Sequence, residues 1–218
     1  MKNILEIYEH YKIMPNLALH QLRVASVISL ICKNLNIKVD TDVAITSGLL
    51  HDMGNIIKFD LNYFPEFSEP LGIEYWQKVQ NEYFEKYGRH EHEATQKILK
   101  ELGVNQRVID IDARMIFGNL CIDRDSNDLE LKLLHYADMR VGPFGILSFD
   151  ERMEDARKRY ENKLDDEMTR EKNRREELLA CGRDIEKQIF ENCKIKPEDI
   201  NDESIAEILE ELKGFMIK

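Results

Sequence analysis

Apolar residues recur at steps of three and four along almost the whole chain, while the apolar–polar alternation of strands is nearly absent. The fold class is therefore expected to be all-α. The clearest stripe is Leu17, His20, Val24, Val27, Ile28, Ile31 and Leu35, which follows the start signal Pro15-Asn16. It predicts a helix of about five turns with His20 on its apolar face. A second helix is expected to begin at Asp40 or Thr41, run through Val43, Ile45, Leu49 and Leu50, and stop at Gly54. His51 and Asp52 then lie at its C-terminal end. Residues 55–72 hold Pro65, Pro70 and Gly72 among Phe59, Tyr63, Phe64 and Phe67 without a sustained period, and are read as a loop flanking an active site.

Further helices are expected at about 74–86, 90–102, 105–118 and 128–140, with Gly88, Gly103 and Gly118 near their ends and Gly142-Pro143 closing the bundle. This divides the chain into a helical bundle at 1–145 and a C-terminal helical extension at 146–218. Between Asp150 and Glu177 acidic and basic residues are closely mixed, and the regular apolar positions are Met153, Ala156, Tyr160, Leu164 and Met168. One narrow stripe on a charged helix usually packs antiparallel on its own domain or against a partner, a second copy of the chain included. A last helix is expected from about Pro197 to Leu212, and no internal repeat is present.

Composition narrows the functional classes. With 43% hydrophobic and 33% charged residues, 10 Gly and 5 Pro, the 218-residue chain is globular rather than collagen-like or disordered. No apolar run approaches the ~20 residues that cross a bilayer, and the start Met1-Lys2-Asn3-Ile4-Leu5-Glu6 has no uncharged signal core, so a cytoplasmic protein is expected. The net charge of -11 makes extended nucleic acid a poor partner and favours a small substrate. Cys32, Cys121, Cys181 and Cys193 form no CxxC pair and are expected to be reduced thiols.

The chemistry-bearing residues are His20, the pair His51-Asp52, and Asp138. A histidine in an apolar stripe is, by itself, more often a core residue than a ligand. His51-Asp52 changes that balance, because an imidazole and a carboxylate stand together where an apolar helix ends, at the terminus that favours a cation. In Leu133-Leu134-His135-Tyr136-Ala137-Asp138 an apolar helical run ends in an acid on a face expected to be buried, and an isolated buried acid is costly. Asp138 needs a cation, either an arginine or a metal.

Three segments, His20-Gln21-Leu22-Arg23-Val24-Ala25, Gly48-Leu49-Leu50-His51-Asp52-Met53-Gly54 and Tyr136-Ala137-Asp138, stand in the order H…HD…D, and over about residues 16–145 the chain resembles the HD-domain metal-dependent phosphohydrolases. The resemblance implies an HD-domain helical bundle in which His20, His51, Asp52 and Asp138 hold one divalent metal. Two imidazoles and two carboxylates suit Mn, Fe, Co, Ni or Zn rather than the all-oxygen sites of calcium. Such a cation lowers the pKa of water and neutralises a phosphoryl oxygen, and Asp52 is the candidate catalytic residue that orients or deprotonates the water.

Arg23, Lys58 and Arg140 are candidate phosphate-binding residues near these segments, each with the alternative of an ordinary surface or ion-paired role. The family commonly has Lys directly after HD-x-Gly, where this chain has Asn55, so Lys58 as a displaced substitute and Lys58 as an ordinary surface residue both stay open. Arg89-His90-Glu91-His92-Glu93-Ala94 resembles a family histidine that lines the site or binds a second metal, with His90 fitting the spacing slightly better than His92. Members with two metals place another histidine in the next helix; Arg114–Asn119 has none, so one metal per chain is expected. His135 is read as a core or supporting histidine. The resulting expectation is a hydrolase of a phosphate monoester or diester of a small molecule, most plausibly a nucleotide. The rival is a catalytically silent HD module that binds a nucleotide or a protein.

Overall fold

A computed structural model describes residues 1–160 and 168–218. Its centre is α2 (Pro15–Asn34), which packs against α3 (Thr41–Leu50), α8 (Leu129–Asp138) and α11 (Asp202–Leu212). Proline at the first helical position starts α2 without losing a hydrogen bond. The Asp40 carboxylate caps α3 by accepting from the Val43 N–H at 3.1 Å. Val43 to Leu50 are all buried, so α3 has no solvent face and must run through the interior. Gly48 permits this: a Cβ there would stand 2.8 Å from Ile28 Cδ1 and 3.0 Å from Ala25 Cα on α2.

Around these lie α1 (Ile4–His10), α4 (Ile73–Tyr87), α5 (Glu91–Leu102), α6 (Gln106–Arg114), the short α7 (Leu120–Asp125), α9 (Phe149–Tyr160) and α10 (Met168–Phe190). The fold is all-α, as the periodicity requires, apart from one two-residue strand pair in which Lys2 faces Ile217 and Asn3 faces Met216. Among the described residues no helix is long and apolar enough to cross a membrane. The 55–72 segment is a loop containing two 3-10 turns, Asn55–Lys58 and Pro65–Ser68.

Three departures from expectation have local causes. The helix expected over 105–118 stops at Arg114, because Ile116 and Phe117, each 44% exposed, find no core to pack on. Gly118 accordingly lies in a 3-10 turn, and α7 follows as a separate helix. The charged 150–177 segment contributes to two helices: α9, whose Met153 is buried, and α10, which packs on α7 and α8 through Leu178, Cys181, Ile185 and Ile189. Arg175 Nη2 donates to Met153 O at 2.9 Å, tying α10 to α9; Leu164 lies outside the described residues. The expectation of four reduced thiols is corrected: Cys121 on α7 and Cys181 on α10 form a disulfide with Cα atoms 5.1 Å apart, and Cys32 and Cys193 are free. One apolar core runs from Ile4 to Ile217 and includes side chains from both sides of residue 145.

Candidate metal centre

The ends of α3 and α8 meet the middle of α2, and four side chains converge there. His51 caps α3, and its Nδ1 donates to Gly48 O at 2.9 Å, which leaves the Nε2 lone pair pointing away from the helix. The side chain is 2% exposed, and among the described residues no hydrogen bond reaches its Nε2. Asp52 follows, held by its own N–H donating to Gln21 Oε1 at 3.2 Å; Gln21 is the residue after His20 on α2. Asp138 ends α8. His20 Nε2 lies 3.1 Å from Asp138 Oδ1 and 3.7 Å from Asp52 Oδ2. His51 Nε2 is 3.7 Å from each of the same two oxygens.

These separations fit a shared ion. Neighbouring octahedral ligands at about 2.1 Å from a metal stand about 3 Å from one another. Donor atoms of His20, His51 and Asp52 lie within 4.8 Å of one another, and Asp138 Oδ1 adds a fourth donor beside them. Among the described residues, the ion pairs of Asp52 and Asp138 are with the two histidines alone. The electrostatics point the same way. Burial disfavours a charged His51, yet the Asp52 carboxylate, with help from Asp138, overrides it and pushes the imidazole up to about 9. Burial likewise opposes ionisation of Asp138, but the close His20 imidazole at 3.1 Å and the positive charge of His20 and His51 hold it well below the ordinary carboxylate value. The centre favours positive charge, and a divalent cation satisfies that demand while giving the orphaned His51 Nε2 a partner.

The remaining sequence candidates have different surroundings. Arg23, one turn along α2 from His20, donates through Nη2 to Phe144 O at 3.2 Å, and its Nε lies 3.7 Å from Asp202 Oδ1. Lys58 is 42% exposed and 3.9 Å from Glu91 Oε1. His90 is exposed at the N-cap of α5, and His92, also exposed, has Nε2 4.0 Å from Glu91 Oε1. Arg140 is corrected as a substrate contact: it is buried, and its guanidinium donates to Leu147 O, Tyr136 Oη, Pro197 O and Ile200 O. It ties the chain after α8 to the segment before α11. His135 does not join the centre either, since its Nε2 lies 3.1 Å from Asp123 Oδ2 in a buried pair.

The structure gives Gly54 and Glu91 positions that their motifs did not assign, and adds Asp112, which the sequence reading passed over. Gly54 seats the His51-Asp52 turn on the first turn of α5, where a Cβ would meet Glu91 O at 2.4 Å, and its N–H donates to Thr95 Oγ1 at 3.0 Å. The Glu91 carboxylate stands between Lys58 and His92. Asp112 on α6 is 4% exposed; Oδ2 accepts from Gln96 Nε2 at 2.6 Å, and Oδ1 has no partner. Burial pushes its carboxyl up to about 7 against the Gln96 bond, with smaller influences from His51 and Asp52. The four-residue step from Val108 to Asp112 was the available signal, because it puts the acid on the apolar face of α6.

The HD-domain family model matches residues 17–139, a span that contains all four converging side chains. No curated protein and no solved structure matches the chain. The matched span covers more than half of the 218 residues and encloses a His/Asp cluster that fits a metal, so this chain belongs to the HD-domain family, a superfamily of metal-dependent phosphohydrolases.

Proposed function

We propose that the protein hydrolyses a phosphate monoester or diester of a small molecule, in particular a nucleotide, at a single divalent transition metal held by His20, His51, Asp52 and Asp138. The observation that carries this reading is His51 Nε2, buried and 3.7 Å from each of two carboxylates whose ion pairs, among the described residues, are with histidines alone. A divalent cation bound there supplies Lewis acidity to a phosphoryl oxygen and a water that ionises near neutral pH. Asp52 would hold an attacking water by hydrogen bond and accept its proton on the carboxylate. Gln21 fixes the Asp52 backbone, and Gly48 O fixes the His51 tautomer, so both ligands are pre-aimed. Of the two candidate cations, Lys58 is exposed and in a loose pair with Glu91 and is the freer to meet a phosphate, whereas Arg23 is held by Phe144 O and Asp202.

Metal analysis of the purified protein, followed by phosphate-release screening of nucleotides and phosphodiesters with Mn²⁺, Co²⁺ or Ni²⁺, tests the reading. The expected result is one bound metal and release from at least one ester. The rival silent module draws on Asn55, which is buried where the family commonly has Lys. Metal binding without hydrolysis of any ester would favour that rival.

A further inference from the structure

Two segments flank the metal centre, and each carries aromatic side chains. The first leaves the His51-Asp52 turn and is anchored: Gln80 Nε2 donates to Ile56 O at 2.7 Å and to Phe59 O at 3.0 Å, and Trp76 Nε1 donates to Ser68 O at 3.1 Å. This segment presents Phe64 and Phe67 around its second 3-10 turn. The second segment begins just after Asp138 and folds back on itself, with Gly142 N donating to Gly145 O and Leu147 N to Arg140 O, both at 2.8 Å. Phe144 sits at its tip, and its carbonyl is pinned by Arg23, one turn along α2 from His20.

The two segments meet ring to ring. Phe64 and Phe67 have centroids 5.0 Å apart, and Phe144 lies 5.8 Å from Phe64 and 5.6 Å from Phe67. These are separations at which aromatic rings attract. Phe144 nevertheless remains 68% exposed, so the cluster backs its ring without covering it. Phe144 follows Asp138 by six residues and is tied through its carbonyl to Arg23, one turn along α2 from His20, so its open ring is available to a planar group of a molecule bound at the centre. Of the two nearby cations, Arg23 faces Asp202 and Lys58 is in a loose pair with Glu91, so an apolar contact would supplement their hold on a phosphate ester.

We propose that Phe144, backed by Phe64 and Phe67, is a stacking platform for the planar base of the substrate and sets the preference of the centre for nucleotides over simple sugar phosphates. This deepens the phosphohydrolase reading and rests on it for the reaction. Stacking of a base on an aromatic ring is sequence-tolerant, so the platform selects for a base and discriminates weakly among bases.

The test compares the metal-loaded wild type with Phe144→Ala and Phe144→Trp. Steady-state kinetics use a nucleoside 5′-monophosphate, phenyl phosphate and ribose 5-phosphate, and saturation-transfer NMR follows binding of the phosphate-free nucleoside. In wild type the nucleotide should exceed ribose 5-phosphate in kcat/KM, mainly through KM. Phe144→Ala should lower that preference about 10- to 100-fold, and Phe144→Trp should restore it. The nucleoside NMR signal should weaken in the alanine variant and return with tryptophan. A preference for phenyl phosphate over the nucleotide would assign the platform to aryl esters and overturn the nucleotide assignment. Equal preferences in wild type and Phe144→Ala, with hydrolysis intact, would overturn the platform and leave the phosphohydrolase reading standing. Nucleoside binding that is lost in Phe144→Ala, without hydrolysis of any ester, would keep the platform and remove the hydrolase.

Discussion

Helix α8 carries two histidine–aspartate clusters only one turn apart, and they have opposite characters. At its end, Asp138 meets His20, His51 and Asp52, with partly exposed acids, a buried imidazole nitrogen and, among the described residues, no arginine or lysine in their ion pairs. One turn earlier, His135 meets Asp123, which is 1% exposed and also accepts from Arg114 Nη2. Arg114 Nη1 reaches Asp128 at 2.7 Å, and Asp128 in turn pairs with Arg107. The second cluster is closed: its acids have permanent cations, and the His135 and Arg114 interactions hold Asp123 below the ordinary carboxylate value despite burial. The first is open, completed only by protons or by an ion. Residue type does not separate a metal centre from a structural ion-pair network, but the source of the positive charge does.

The comparison breaks most sharply in activity. Asp52→Asn should lower phosphate release by about 10³-fold or more, because it removes a charged ligand and the proton acceptor, whereas Arg23→Ala should cost about 10-fold through positioning. Equal and mild losses would place the centre outside the reaction. Asp123→Ala should leave the metal content intact and act on stability, since it strands His135 and Arg114 without their carboxylate. A loss of about 3 kcal/mol is expected from urea unfolding, and a change below about 0.5 kcal/mol would mean that the network is not closed as described.

Metal addition gives the reciprocal result. At about 100 times Kd, Mn²⁺ or Co²⁺ should stabilise the wild type by about 2.7 kcal/mol, which scanning calorimetry reads as a rise in Tm. Asp138→Asn should lose most of that rise, while Asp123→Asn should keep it. Elemental analysis of saturated, dialysed protein should give about one metal per chain, because a second dication needs ligands of its own. A ratio near two that drops to one in His90→Ala would add α5 to the ligand set.

The smallest expected effect concerns Asp112, the other incompletely satisfied acid, which senses the charges of the open cluster. Its folded pKa near 7 lies above that of an unfolded carboxyl, so the stability it contributes is complete below the unfolded pKa and is lost as pH rises through about 7. Between pH 6 and pH 8 this amounts to about 1 kcal/mol. Asp112→Asn should flatten the stability profile over that window; an unaltered slope would show that the acid is already ionised at pH 6.

Legibility followed the range of the interaction. His20, His51, Asp52 and Asp138 were readable because each interrupts or ends an apolar helical stripe, a pattern visible within a few residues. The same rule made α2, α3, α4 and α5 recognisable to within a few residues. It misplaced the end of α6 and passed over α7, where an apolar run is exposed instead of buried. Arg140 was a reasonable phosphate contact by position, being two residues after Asp138, yet it faces inward to carbonyls near residues 147 and 200.

The amino-acid sequence by itself determined the all-α class, the main helices and the H…HD…D order, because helical periodicity and the cost of placing a charge on an apolar face are local properties; the four candidate ligands came from the family resemblance that this order carries. Only the tertiary structure decided which charges are already neutralised, that Cys121 reaches Cys181, and that Phe144 meets Phe64 and Phe67. Those outcomes depend on how helices and loops distant in sequence cross and dock. Many packings share one hydrophobic period, and the period carries no record of which polar partners a packing brings together.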